Sequence, residues 1–241
     1  MDGLIEKYNI STVRCTNALW ECYNQGRIPV IPDIKHRSPG EGELLHGRDP
    51  VQYALALQEA GAPVISVVTE VEHFGGSLSM LSQITEAVSV PVICKDFIKS
   101  REQLMECASH GAAGVLLMAS IMEKSLLEYL IYEALELGLE PLVETHQESE
   151  IASVIGLPIT FLGINNRNIL EWETDDGTVK TTQGLAGLVN TDVFLLSESS
   201  ITNTQGVRAA VNAGAHGVLV GTAILKAADP IETYNKLSIL R

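Results

Sequence analysis

Asp33 and Lys35 stand two residues apart at the end of the apolar run "IPVIPDI", immediately before a Ser-Pro-Gly turn. Residues i and i+2 of a strand project to the same face, so a buried strand ends here with two opposite charges pointing one way. Burying charge is unfavourable unless the charge is paired or used. The pattern recurs along the chain: Glu70 after "PVISVVT", Lys95 and Asp96 after "VPVIC", Glu144 in "EPLVET", Asn165 and Arg167 in "GINNRN", and Glu198 and Ser199 in "LLSESS". If they share one pocket, Lys35 and Lys95 would shift the pKa values of Asp33, Glu144 and Glu198, and be shifted by them, as acid–base catalysis requires. A ring of salt bridges closing one end of the fold is the structural alternative.

A second pattern lies late in the chain. "SESSI", with Ser199 and Ser200, and "VGTAIL", with Gly221 and Thr222, offer small-residue turns whose backbone N–H groups can face a phosphate. Ser38, in "SPG", brings a hydroxyl that can join them, although an ordinary Ser-Pro turn reads the same way. Gly221 equally well just ends a strand. Phe74, in "EHFGGS", and Phe97, in "KDF", offer aromatic walls for a flat ring or simple loop packing.

The elements that must position these residues are short, β-rich and almost continuously apolar. They span residues 28–34, 63–70, 90–96, 113–118, 140–145, 160–165, 193–198 and 216–221. Strands of this kind are covered on both faces, as in a parallel sheet with crossover helices. Helical spacing appears between them in "DPVQYALALQEAGA", "REQLMECASHGA", "KSLLEYLIYEALELG" and "TQGVRAAVNAGA", several closed by glycine. Eight such units predict a single (β/α)8 TIM barrel over residues 1–241, whose chemistry collects where the carboxyl ends of the strands converge. An open doubly wound sheet is the alternative, but the glycine-rich dinucleotide turn that often follows its first strand is missing. Residues 1–27 read as a short amphipathic helical extension that caps one end of the barrel.

The formal net charge of −14 argues against nucleic acid and anionic membranes as partners, so positive charge for an anionic ligand must be local. No apolar run approaches the roughly 20 residues of a membrane helix, and the first residues lack the build of a signal peptide. A soluble, cytoplasmic protein is expected. The four cysteines lack the paired spacing of zinc or redox motifs and read as reduced thiols. The six histidines show neither helical metal spacing nor an obvious carboxylate companion, so no metal is implied.

Taken together, "IPDIKHRSPGEG", "ISVVTEVEHFGGSL", "PVICKDFI", "GVLLMASI", "EPLVETHQESE", "GINNRNI", "LLSESSI" and "GVLVGTAIL" resemble the indole-3-glycerol phosphate synthase family of tryptophan biosynthesis, over roughly residues 28–230. The resemblance implies a (β/α)8 barrel that needs no cofactor. It would close the pyrrole ring of 1-(2-carboxyphenylamino)-1-deoxyribulose 5-phosphate and release carbon dioxide and water. By the same resemblance Lys95 is the general acid at the substrate ketone, and Lys35 binds the substrate carboxylate or assists proton transfer. Glu144 is the base of the later dehydration, while Asp33, Asn165 and Glu198 complete the catalytic set. Arg167 anchors the mouth or meets the carboxylate, Phe74 and Phe97 line the anthranilate pocket, and Ser38, Ser199, Ser200, Gly221 and Thr222 surround the phosphate. The only expected partner is this small molecule, with the protein a monomer or weak homo-oligomer. The sequence departs from the family pattern at Asp33, where the family has Glu, at Ser200, where it has Gly, and in its shorter extension, whose Trp20 is either a core residue or the aromatic of the family's cap over the anthranilate ring. Those departures leave two alternatives: a diverged paralogue acting on another phosphorylated substrate, and a noncatalytic subunit that binds a phosphorylated metabolite.

Overall fold

The structure, a computed structural model of the chain, describes residues 14–167 and 177–241. Its strands are β1 (Val30–Ile34), β2 (Ile65–Val68), β3 (Val92–Lys95), β4 (Gly114–Met118), β5 (Glu140–Thr145), β6 (Phe161–Asn165), β7 (Phe194–Glu198) and β8 (Gly217–Val220). Each is parallel to its neighbours, and β1 pairs with both β2 and β8, which closes the barrel. All eight lie inside the apolar runs read from the sequence, trimmed by up to two residues at either end. The trimmed residues form the loops, where side chains no longer serve the ladder. Arg37–Ser38 and Gly42–Glu43 add a two-stranded hairpin after β1.

The helices among the described residues are α1 (Cys15–Asn24), α2 (Pro50–Glu59), α3 (Leu78–Ala87), α4 (Arg101–Ser109), α5 (Lys124–Glu136), α6 (Glu148–Val154), α7 (Lys180–Leu185), α8 (Thr204–Asn212), α9 (Thr222–Leu225) and α10 (Pro230–Leu237). Several start at a side chain that satisfies an orphan amide. Asp49 caps α2, Ser77 α3, Ser100 α4, Asn203 α8 and Asp229 α10, each typically contributing about 1 kcal/mol. Gly61, Gly111, Gly138 and Gly214 follow α2, α4, α5 and α8 with positive φ, which ends each helix and turns the chain toward the next strand.

Alternation along the strands divides the core in two. Val30, Val67, Cys94, Val115, Leu117, Val143, Leu162, Leu195 and Val218 face the helices. Ile31, Ile93, Leu116, Leu142, Phe161, Phe194, Leu196 and Leu219 fill the barrel interior. The inward series continues upward through Asp33, Lys95, Glu144, Asn165 and Glu198, so the polar set is the top layer of an otherwise apolar stack.

Helix α1 closes the opposite, amino end. Glu140, the first residue of β5, accepts from Thr16 N (3.0 Å), Thr16 Oγ1 (2.5 Å) and Thr160 Oγ1 (2.7 Å), so a buried carboxylate both caps α1 and ties it to β6. Cys15 and Leu19 enter the interior cluster. Trp20 packs on Phe194 at the start of β7 (4.9 Å between centroids) and on His216 before β8 (4.6 Å). Trp20 is therefore core at the barrel floor and not an aromatic over the ligand. Its indole is amphipathic enough to read either way until the end that α1 caps is known. Residues 1–13 of the expected extension lie outside the described residues. Cys94 and Cys107 are both free and buried, with the Cys107 Sγ donating to the Cys94 Sγ at 2.8 Å.

No helix among the described residues is long and apolar enough to cross a membrane.

Candidate active site

The carboxyl ends of the strands surround a cavity of about 580 Å³. Asp33, Lys35, Glu70, Lys95, Glu144, Asn165, Arg167 and Ser199 line it, together with Phe74 and Phe97. Leu116, Met118, Val68 and Ile121 supply its apolar surface. Ten residues separated by as many as 166 positions thus meet at one mouth, because each terminates or follows a strand of a closed barrel.

Glu198 is fully buried and lies behind the cavity wall, where its Oε2 accepts from Lys95 Nζ at 3.1 Å. Room for it comes from Gly163 on β6: a Cβ there would fall 2.0 Å from Glu198 Oε1. Burial works against the Lys95 ammonium, but the charges of Glu198, Asp33 and Glu144 outweigh it and hold its pKa above the ordinary lysine value. Burial, reinforced by Glu144 and Asp33 and opposed by Lys95, pushes Glu198 up to about 7. At neutral pH Lys95 is therefore a charged proton donor, and its supporting carboxyl sits near its own titration point.

Asp33 sits 3.7 Å from Lys35 Nζ and accepts from Ser66 Oγ at 2.6 Å. Its Cβ presses on Gly221, where a side chain would come within 2.9 Å, so the first and eighth strands meet without room for another atom. Lys35 Nζ lies 5.7 Å from the centroid of the Phe74 ring, within reach of a cation–π contact. Glu144 is buried, with Oε1 facing His146 Nε2 at 3.6 Å. Asn165 Oδ1 accepts the Arg167 backbone N–H at 3.0 Å and so sets the chain direction where Arg167 leaves the strand.

Two loops hold the aromatic walls. The Glu70 carboxylate accepts the N–H groups of Glu72 (3.0 Å), His73 (2.8 Å) and Phe74 (3.0 Å), and pairs with His73 Nδ1 at 3.0 Å. Burial opposes this, yet the hydrogen bonds from His73 and Phe74 leave the Glu70 pKa below its usual range. The Arg37 guanidinium caps the carbonyls of Val71, Glu72 and His73, tying the hairpin after β1 to the same loop. Asp96 accepts from Thr69 Oγ1 and from Phe97 N, both at 2.7 Å, and so fixes the Phe97 wall.

The residues expected around a phosphate adjoin the cavity, and only Ser199 lines it. Ser38 Oγ is buried with no hydrogen-bond partner, beside the lining residue Pro39. Ser199 (φ 66°) and Ser200 (φ 61°) are both left-handed, a conformation that favours glycine. Asn166 secures this turn: its Nδ2 donates to Ser197 Oγ (3.0 Å) and to the carbonyls of Glu198 (2.8 Å) and Ser199 (3.3 Å), while Oδ1 accepts from Thr182. Gly221 leads into the short helix α9, which begins at Thr222.

Sequence reasoning missed Asn166 and the cavity-lining Lys99, placed Asp96 at a strand end without giving it a role, and passed over the histidines' partners. The histidines do have carboxylate companions: His73 meets Glu70, and His146 lies between Glu144 and Glu150. The i, i+3 and i, i+2 spacings were visible, but a strand end or a loop had to be known before they meant contact. Glu70, Glu72 and His73 also bring three ligand atoms within 4.8 Å of one another. The Glu70 oxygens there are already engaged by loop N–H groups.

A family model described as indole-3-glycerol phosphate synthase matches residues 5–237. A protein of that name from Pyrococcus furiosus is 40% identical over 208 residues, 86% of this chain and 90% of the relative. Its namesake from Thermococcus kodakarensis is 39% identical over 208 residues, again 86% of this chain and 91% of the relative. One from Listeria monocytogenes is 36% identical over 218 residues, 90% of this chain and 85% of the relative.

Proposed function

The chain belongs to the indole-3-glycerol phosphate synthase family, and from that premise we propose that it converts 1-(2-carboxyphenylamino)-1-deoxyribulose 5-phosphate to indole-3-glycerol phosphate, carbon dioxide and water. The observation that carries this reading is the Lys95 ammonium, held over a buried Glu198 at the wall of a cavity that Lys35, Glu144 and Arg167 also line.

Attack of the aromatic carbon on the ketone develops negative charge on the ketone oxygen. Lys95 stabilises that oxygen and protonates it, and a preorganised ammonium in a dry site is well suited to both tasks. Glu198 sets the Lys95 position from behind. Lys35, between Asp33 and the Phe74 ring, meets the carboxylate that leaves as carbon dioxide. Decarboxylation needs no external electron sink, because the cation formed by ring closure takes up the electron pair. Glu144 then accepts the proton lost in dehydration, and Asn165 aligns the Arg167 segment beside it. Phe74 and Phe97 hold the anthranilate ring between them. The unpartnered hydroxyl of Ser38 and the turn at Ser199 and Ser200 receive the phosphate, with Gly221 and Thr222 following the strand that lies between β1 and β7. The lysines and arginine at the mouth give an anionic substrate local positive charge on a protein of net charge −14. The same reading makes the protein a cytoplasmic monomer or weak homo-oligomer with no nucleic-acid partner.

The test is turnover of the purified carboxyphenylamino substrate, followed by the fluorescence of the indole product. Wild-type protein should turn over, and Lys95→Ala should abolish turnover with the fold retained, since Glu198 can take a proton when its partner is gone. Binding without product, or near-normal turnover by Lys95→Ala, would refute the assignment.

A further inference from the structure

His146 follows the last residue of β5 and stands two residues beyond Glu144, so its ring leaves the strand on the same side as that carboxylate. Its Nε2 lies 3.6 Å from Glu144 Oε1, and its Nδ1 lies 3.5 Å from Glu150 Oε2 on α6. Both ring nitrogens and Glu144 Oε1 are buried and make no hydrogen bond, so the two carboxylates meet the ring at ion-pair distance. Glu150 is itself held in place, accepting the His146 backbone N–H at 2.7 Å and Gln147 Nε2 at 3.0 Å. The ring is thus wedged between a fixed acid outside and a cavity-lining acid inside.

We propose that His146 is the positioning residue of Glu144: its imidazolium bridges Glu150 and Glu144 and keeps the Glu144 carboxylate aimed into the cavity. The proposal deepens the synthase reading and rests on it. A neutral imidazole has one N–H and can donate to only one of two carboxylates, whereas the cation donates to both. The bridge therefore exists only while His146 is protonated. The carboxylates facing it favour that form: Glu144 at the end of β5, Glu150 on α6 and Glu198 at the end of β7; Lys95, beyond Glu198, is the opposing charge. Burial works against the cation, but these carboxylates outweigh it and raise the pKa above the ordinary 6.5.

The experiment compares kcat and KM of the full-length wild-type protein, His146→Gln and Glu150→Gln across pH 6–9, with an NMR titration of the imidazole. Loss of one charge-assisted contact corresponds to about a tenfold fall in kcat, and His146→Gln should show that fall with KM changed less than about twofold. Wild-type kcat should decline as pH rises through the His146 titration, and this limb should be absent from His146→Gln. Glu150→Gln, which retains the ring, should move the limb and the NMR titration to lower pH together. Unchanged kcat in His146→Gln, or equal losses in kcat and KM that track a lower melting temperature, would overturn the proposal. A wild-type protein without turnover would defeat the synthase reading instead. In that case an imidazole titrating at or below its ordinary value in the same NMR experiment would defeat the bridge as well.

Discussion

Replacing Gly163 with Ala adds one methyl group at a position outside the cavity lining, yet it should disable the site. The new Cβ would lie 2.0 Å from Glu198 Oε1 and 3.1 Å from its Cδ. Carbon atoms rest about 3.5 Å or more from such neighbours, so the carboxylate must retreat by more than about 1 Å. The Lys95–Glu198 contact of 3.1 Å is then lost, and Glu198 is fully buried from solvent. Breaking a buried pair costs about 3–5 kcal/mol. The lower end applies here, because a carboxyl already near pKa 7 escapes part of the penalty by taking a proton. For a chain of this size about 3 kcal/mol lowers the melting temperature by roughly 6–12 °C. Lys95 loses its support, and a misplacement of about 1 Å in a catalytic group can lower kcat about 100-fold. Product fluorescence and thermal denaturation read the two effects. Gly184→Ala on α7 is the control: a Cβ there meets nothing within 4 Å, and the change should stabilise by about 0.5–1 kcal/mol. A Gly163→Ala protein with kcat within about threefold of wild type and a melting temperature within about 2 °C would refute the claim that Glu198 supports Lys95.

Two further predictions concern stability. Glu198 titrates near 7 in the folded protein against 4.5 ordinarily, so folding favours its protonated form. Its contribution is fully present below about pH 4.5 and is lost as pH rises through 7, about 3 kcal/mol in all. Melting curves from pH 4.5 to 8 should show wild type losing stability relative to Glu198→Gln across that window; parallel curves would refute the shift. Ser200→Gly should raise the melting temperature by about 2–4 °C by removing about 1 kcal/mol of left-handed backbone strain at φ 61°. An unchanged or lower value would show that the buried hydroxyl contributes more than the strain takes away.

The eight strands and their order were legible in the sequence because a parallel strand covered on both faces must be apolar nearly throughout, and that composition needs no knowledge of its neighbours. The polar strand ends were legible for the same reason, since Asp33, Lys95, Glu144, Asn165 and Glu198 interrupt runs that otherwise exclude charge. Residue identity suggested acid–base chemistry on condition of a shared pocket, and ring closure came from the family resemblance. Which of these groups touch was decided only by closure of the barrel. The register of β6 against β7 puts Gly163 beside the Glu198 carboxylate, and the parallel pairing of β1 with β8 puts Gly221 against Asp33. The same closure sends α1 to the amino end, which made Trp20 a floor residue. It also turned His146 from an isolated histidine into a link between two acids. Periodicity assigns a side chain to a face, but contact depends on the stagger between strands distant in the chain, and one sequence does not encode that stagger locally.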